Sequence, residues 1–274
     1  MSRNRKTRIG AVSYLNTRPL IHRLAEFARR SEVVLEVPSR LAYALASGEL
    51  DVALIPSFEL FRRPEYVVVS DACIGCRGPV LSVKLLTRKP LAEISTLALD
   101  EGSRTSAALV QILLWERFAI RPQLELLPLT APLTECTADA VLLIGDRAIP
   151  RTSGPFEQVW DLGDEWCRWA ELPFVFAVWA ARADADLAAI DLALSQARDA
   201  GLAELPQVAA AHAVDLHPAP AAALSYLRDN LYFFLGPREC EGLRLFHERA
   251  AALELAPPEW ELQFHSCREP LGEH

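Results

Sequence analysis

Three short apolar runs near the start of the chain set the tightest limit on its fold. They are Ile9-Gly10-Ala11-Val12, "VVLEVPS" from Val33 to Ser39, and "LDVALIPS" from Leu50 to Ser57. Each is short enough for a buried strand, and each gives way to small polar residues or a proline. Helical spacing fills the gaps between them. Pro19 to Arg30 carries Leu20, Leu24 and Phe27 behind a proline, and Arg40 to Ser47 stops at Gly48, a natural C-terminal cap. Strand, helix, strand, helix, strand predicts a parallel sheet with crossover helices.

The alternation returns further on. "GPVLSVKLLTRKP" (Gly78 to Pro90) and "LPFVFAVWAAR" (Leu172 to Arg182) read as two long strands. Between them the pattern gives a strand at Thr96–Leu99, a helix from Ser103 to Phe118, and strands near Leu124–Leu127 and at Ala140–Ile144. Helices are expected at Asp186–Gly201, Ala221–Phe234 and Pro237–Leu253. The order suggests an α/β protein of two lobes joined by two crossing strands. Residues 1–86 and 180–274 would form the first lobe and residues 87–179 the second, with a ligand cleft between.

Composition narrows the function. The 274 residues are 51% hydrophobic and 23% charged, enough for a full core. A formal charge of −8 argues against a nucleic-acid partner, and it requires local donors to hold any anionic ligand. No stretch approaches the roughly 20 apolar residues that span a bilayer, so no membrane partner is expected. "MSRNRKTRIGAVSYLN" opens like a secretory signal, but Ser13, Asn16 and Arg18 cut its apolar run short, so a cytoplasmic location is expected. Cys73 and Cys76 form a C-x-x-C without a thioredoxin-like setting or a second pair for zinc, and read as reduced structural thiols. His22, His212, His217, His247, His265 and His274 show no metal-ligand spacing. Trp160, Trp166, Trp169 and Trp179 gather around the second long strand and read as core.

In parallel α/β sheets ligands sit outside the carboxyl ends of the strands. Small polar residues recur there: Ser13 to Thr17 with Asn16, then Ser39, Ser57, and Gly145–Asp146 after "AVLLI", with Ser82 inside the first long strand. Any one of them also suits a helix cap or a turn. Their recurrence at one sheet edge points to a site. Ser103, Arg104, Thr105 and Ser106 open a helix just after the turn Asp100–Gly102. Amides, hydroxyls and the positive end of the helix dipole there favour a carboxylate or phosphate.

The ordered set "GAVSYLNTRPL", "LASGELDVALIPSFEL", "GPVLSVKLL", "DEGSRTSAALVQILL", "LLIGDRAI" and "LPFVFAVW" resembles the chorismate dehydratases of the futalosine route to menaquinone. The resemblance runs to about residue 180, and the C-terminal helices match only in general character. It implies a two-lobed type II periplasmic-binding-protein-like fold around a central cleft. It also implies conversion of chorismate, a small dicarboxylate, to 3-(1-carboxyvinyloxy)benzoate and water with no metal or organic cofactor. The family's catalytic polar residues fall on Asn16 and Ser82. Asn16 would hold the departing hydroxyl or an enolate oxygen, and Ser82 would orient the enolpyruvyl arm or relay a proton. Neither is a base at neutral pH. The substrate's own side-chain carboxylate, or else Asp146, would take the ring proton. Thr17 and Arg18 would line the entrance. Two alternatives share the fold. A non-catalytic solute-binding protein should carry an export signal or anchor cysteine. The related 1,4-dihydroxy-6-naphthoate synthase relies on a second-lobe histidine, and Thr87 to Glu171 contains none.

Overall fold

The computed structural model describes residues 5–149, 156–187, 190–212 and 220–265. Its strands are β1 (Thr7–Val12), β2 (Ser31–Glu36), β3 (Val52–Pro56), β4 (Tyr66–Cys76), β5 (Val83–Thr87), β6 (Thr96–Asp100), β7 (Gln123–Leu127), β8 (Ala140–Ile144), β9 (Gln158–Asp161), β10 (Phe174–Arg182) and β11 (Tyr232–Phe234). Its helices are α1 (Leu24–Phe27), α2 (Pro38–Ala46), α3 (Phe58–Arg62), α4 (Thr105–Phe118), α5 (Leu162–Ala170), α6 (Ile190–Ala203), α7 (Leu205–His212), α8 (Pro220–Ser225) and α9 (Pro237–Ala252).

The strands form two mixed sheets, in the orders β11-β4-β10-β3-β1-β2 and β7-β6-β8-β5-β9. β1 pairs in parallel with β2 and β3, as the opening alternation predicts. β3 is central and buried along its whole length, which is why "VALIP" is an unbroken apolar run. In the second sheet β6 runs parallel to β7 and β8. α4 packs behind that sheet with Leu109, Ile112 and Leu113 fully buried.

Several elements depart from expectation, each for a local reason. Neither long strand spans both sheets, although the first run changes sheet in its opening residues. β10 pairs with β3 and β4, both in the first sheet, whereas β5 pairs with β8 and β9 in the second. The chain changes sheet at residues 77–82, where Leu81 takes a left-handed φ of +58°, and again through α5. Residues 83–86 and 174–179 therefore pair in the opposite sheet from the one expected. The longest strand, β4, was not foreseen because Ser70 and Asp71 interrupt its apolar pattern. Ser195 of α6 donates to Asp71 at 2.7 Å and Arg198 pairs with it at 2.9 Å, so the polar break is satisfied sideways. Pro19 to Arg30 is not one helix. A 3-10 turn, Leu15–Ile21, contains Pro19, and left-handed Arg23 separates it from α1. Ala221 to Phe234 likewise divides, into α8, a π-helical turn at Tyr226–Asn230, and β11.

An aromatic cluster joins α9 to both halves. Phe246 lies 4.9 Å from Phe174 and 5.3 Å from Phe61, ring centre to ring centre, and Trp166 lies 5.1 Å from Phe174. Trp166 and Trp179 are fully buried. Cys73 and Cys76 are free and buried within β4. Among the described residues, no helix is long and apolar enough to cross a membrane.

Candidate active site

The parallel strands of the two sheets end at a shared gap. β1 and β3 reach it from one side and β6 and β8 from the other. Antiparallel neighbours enter the same gap, because Ala177 of β10 pairs with Pro56 and Val83 of β5 pairs with Ile144. The gap forms a half-open cavity between the two sheets. Val12, Pro56, Ile74, Val80, Ile144 and Phe176 give it an apolar lining, and Tyr14, Asn16, Ser82 and the start of α4 supply the polar groups.

Seven residues singled out from sequence line this one cavity: Asn16, Ser82, Ser103, Arg104, Thr105, Ser106 and Gly145. Ser103 Oγ is enclosed without a hydrogen-bond partner, which leaves a donor at the cavity wall. The other expected residues sit elsewhere. Thr17 is fully buried, and its hydroxyl donates to Asn16 Oδ1 at 3.4 Å, behind the wall instead of at an entrance. Arg18 turns back to donate to the Ser13 carbonyl at 3.2 Å. Ser57 is buried with its hydroxyl on the Val175 carbonyl at 2.7 Å. Ser39 borders a separate surface depression with Tyr43 and Glu101. Asp146 accepts the Leu15 amide at 3.1 Å on both carboxylate oxygens. Arg104, although it lines the cavity, spends its charge on buried Glu59 at 3.0 Å. In the structure Thr17 backs Asn16, Ser57 holds a backbone carbonyl, and Asp146 and Arg104 tie loops of the two sheets together.

The walls are held by two carboxylates, one buried and one half-buried. Asp100, at the end of β6, accepts Gly102 N at 3.0 Å, Ile144 N at 3.2 Å and Arg147 Nε at 2.8 Å, and so fixes the ends of β6 and β8 together. Burial raises its carboxyl above the ordinary range against the pull of Arg147. Asp161 caps α5 through Gly163 N and Asp164 N at 3.0 and 3.1 Å. The same carboxylate accepts Val80 N at 2.9 Å and Leu81 N at 2.6 Å, so it shapes the turn that presents Ser82. Ser82 in turn accepts the Gly145 amide on its carbonyl at 2.9 Å. Gly145 has φ +68°, and a Cβ there would lie 2.6 Å from the Tyr14 ring. Only glycine meets both conditions.

Two tyrosines were not singled out as site residues, although Tyr14 lies within the Ser13–Thr17 loop. Tyr14 lines the cavity, and burial, followed by the charge of Asp100, pushes its phenol up to about 12. Tyr226 is fully buried, and burial pushes its phenol up, opposed by Ser82 and Asn16. Its only signal was its place in an alanine-rich segment read as an unbroken helix. Among the described residues no group of three or more His, Cys, Asp and Glu side chains is placed to hold a metal, and no described histidine lines the cavity. His217 and His274 lie outside the described residues. The lining is therefore chiefly neutral donors over an apolar floor. Such a surface can orient an anion with a ring but supplies no ready carboxylate or imidazole.

The fold is that of the periplasmic-binding-protein-like proteins. The chain superposes on protein AF1704 of Archaeoglobus fulgidus with a TM-score of 0.73 at 15% identity, over 93% of this chain and all (100%) of that one. It superposes on the periplasmic aliphatic sulphonate binding protein SsuA of Escherichia coli with a TM-score of 0.65 at 15% identity, over 100% of this chain and 94% of that one. Within this class the chain belongs to the menaquinone biosynthesis family, whose pattern matches residues 7–252. It is 34% identical over 276 aligned positions to the chorismate dehydratase of Thermus thermophilus, covering 91% of this chain and 96% of that one.

Proposed function

We propose that the protein is a hydro-lyase that converts chorismate to 3-(1-carboxyvinyloxy)benzoate and water, on the futalosine route of menaquinone biosynthesis. One observation carries the reading: Asn16 and Ser82, set on loops of different sheets, line the same cavity with the start of α4. Family membership and the Thermus thermophilus relative support it from outside the site.

In the reaction the C3–H bond breaks and its electron pair enters the ring, while the C4–O bond breaks and the leaving hydroxide finally takes up the C3 proton to become water. The ring becomes aromatic, which makes the product strongly favoured. The protein has chiefly to bind, orient and exclude solvent. The amides opening α4, with Ser103 and Ser106, suit a substrate carboxylate. Asn16 holds the departing hydroxyl, and Ser82 orients the enolpyruvyl arm. That arm's carboxylate takes the C3 proton, because a base fixed within reach acts at a very high effective concentration. Asp146 is a poorer acceptor, since both its oxygens engage the Leu15 amide. The free thiols among its described cysteines suit the reducing cytoplasm in which we place it.

The test is direct. Purified protein mixed with chorismate should abolish the diene absorbance with multiple turnovers. Asn16→Ala and Ser82→Ala should each lower kcat/KM by about 100-fold or more. Tight binding without conversion would instead identify a binding protein.

A further inference from the structure

We propose that Cys76 and Cys167 are a redox pair, which a hydroperoxide closes to a disulfide that clamps the two stretches where the chain changes sheet. The proposal goes beyond the dehydratase reading, since neither cysteine lines the cavity.

Two contacts bring the sulfurs to one place. Cys76 ends β4, and its Sγ lies where α5 meets that strand: a Cβ on Gly163 would come within 2.7 Å of it. Cys167 stands four residues after Gly163, one turn along the same face of α5, and its thiol donates to the Cys76 carbonyl at 3.9 Å. Side chains on a helix lean towards its N-terminus, so Cys167 Sγ leans towards Gly163 and with it towards Cys76 Sγ. Cys73, the other half of the C-x-x-C, lies an odd number of residues back along β4 and so faces the opposite side of the sheet. The partner of Cys76 is 91 residues away in sequence, not three.

The surroundings of the pair define what a bond there does. The first change of sheet runs through residues 77–82, directly after Cys76, and the second runs through α5, which carries Cys167. The two already touch. The Gly163 Cβ position is 2.9 Å from the Gly78 carbonyl oxygen and 3.0 Å from Val80 Cβ, and Asp161 at the head of α5 accepts the Val80 and Leu81 amides. α5 packs against β5 and β9 of the second sheet, so a covalent bond from it to β4 spans both sheets. Oxidation makes permanent a junction otherwise held by hydrogen bonds and packing.

The chemistry starts at one thiol. Cys76 is sealed from solvent, whereas Cys167 is half-buried. A hydrogen bond from Cys76 lowers the Cys167 thiol, and the same contact, with burial, raises Cys76. Cys167 is therefore the nucleophile. Its sulfur attacks the hydroperoxide: an S–O bond forms, the O–O bond breaks, and the departing alkoxide or hydroxide takes the thiol proton and leaves as alcohol or water. The Cys76 sulfur then displaces hydroxide from the Cys167 sulfenic acid. The S–S bond forms, the S–O bond breaks, and the Cys76 proton leaves with the hydroxide as water. Two thiols lose two electrons and the hydroperoxide gains them. In a reducing compartment the pair rests as thiols and closes only under oxidant.

Hydrogen peroxide added to the purified protein should lower its intact mass by about 2 Da, with peptide mapping joining Cys76 to Cys167, and dithiothreitol should restore it. Amide hydrogen exchange of residues 77–82 should slow about threefold or more in the oxidised protein and return to the parental rate on reduction. Cys167→Ser should show neither change. Oxygen retained on Cys167 with Cys76 still reduced, a disulfide mapped only to another pair, unslowed exchange in the cross-linked protein, or slowing that persists in Cys167→Ser would each overturn the proposal. None of these readouts uses turnover, so failure of the dehydratase reading leaves them unaffected.

Discussion

Both oxygens of Asp146 accept the Leu15 amide at 3.1 Å, so the carboxylate ties the loop after β8 to the loop after β1. Asp146→Asn keeps one acceptor oxygen and loses the charge. It should raise KM by about tenfold while kcat stays within about threefold of the parent, because a charge-assisted contact is weakened and no proton acceptor is lost. A fall in kcat of about 1,000-fold with unchanged binding would make Asp146 the base. The pH profile gives an independent check. Tyr14 is pushed up to about 12 by burial, and Tyr226 is raised in the same direction. Neither phenol ionises near neutrality, and the arm carboxylate titrates well below it. The rate should therefore be flat between about pH 6 and about pH 9. A limb inside that window would point to a protein group taking the proton.

At the scale of elements, Asp161 does two things at once. It caps α5 and collects the amides of Val80 and Leu81, so the left-handed turn before Ser82 depends on it. Asp161→Ala should destabilise the protein by about 1–3 kcal/mol, read by thermal unfolding, and lower kcat/KM by about tenfold or more. Asp161→Asn, which can still cap a helix, should recover part of both. The alternation behind β1, α2 and β3 was legible because apolar period and breaker residues agreed there. So was the start of α4, where a turn, small hydroxyls and an apolar helix follow one another. β4 was hidden because Ser70 and Asp71 break its pattern, and their partners on α6 lie more than a hundred residues away. β11 was hidden because Tyr232, Phe233 and Phe234 follow alanine-rich helix, and only antiparallel pairing with β4 makes them a strand. Ser57, Thr17 and Asp146 show the limit at the site itself. A polar residue at a strand end can face the ligand, back another residue or tie two loops, and its type alone does not say which.

Across the whole molecule, loops of the two sheets are tied to each other beside the cavity. Arg104 before α4 pairs with Glu59 of α3 at 3.0 Å. Thr105 accepts the Phe58 amide at 3.2 Å, and Asp146 accepts the Leu15 amide. Contacts of this kind, held shut around a substrate between the sheets, would keep water from it. Glu59 is 5% exposed, so its charge is well shielded, but the Arg104 side chain is 36% exposed, which lowers the worth of the pair. A value near 1–2 kcal/mol follows for such a half-screened pair. That shifts an open-to-closed equilibrium by about 5- to 30-fold. Glu59→Gln should therefore expand the ligand-free protein in small-angle scattering. Saturating chorismate should restore the parental radius of gyration, because ligand contacts take over from the lost strap. KM should rise by about the same factor as the equilibrium shifts, while kcat stays within about threefold, since the closed complex is unchanged once formed. If neither the radius nor KM moves, the Arg104–Glu59 strap does not hold the cavity shut, and closure depends on the side chains of Thr105 and Asp146, which accept backbone amides across the gap.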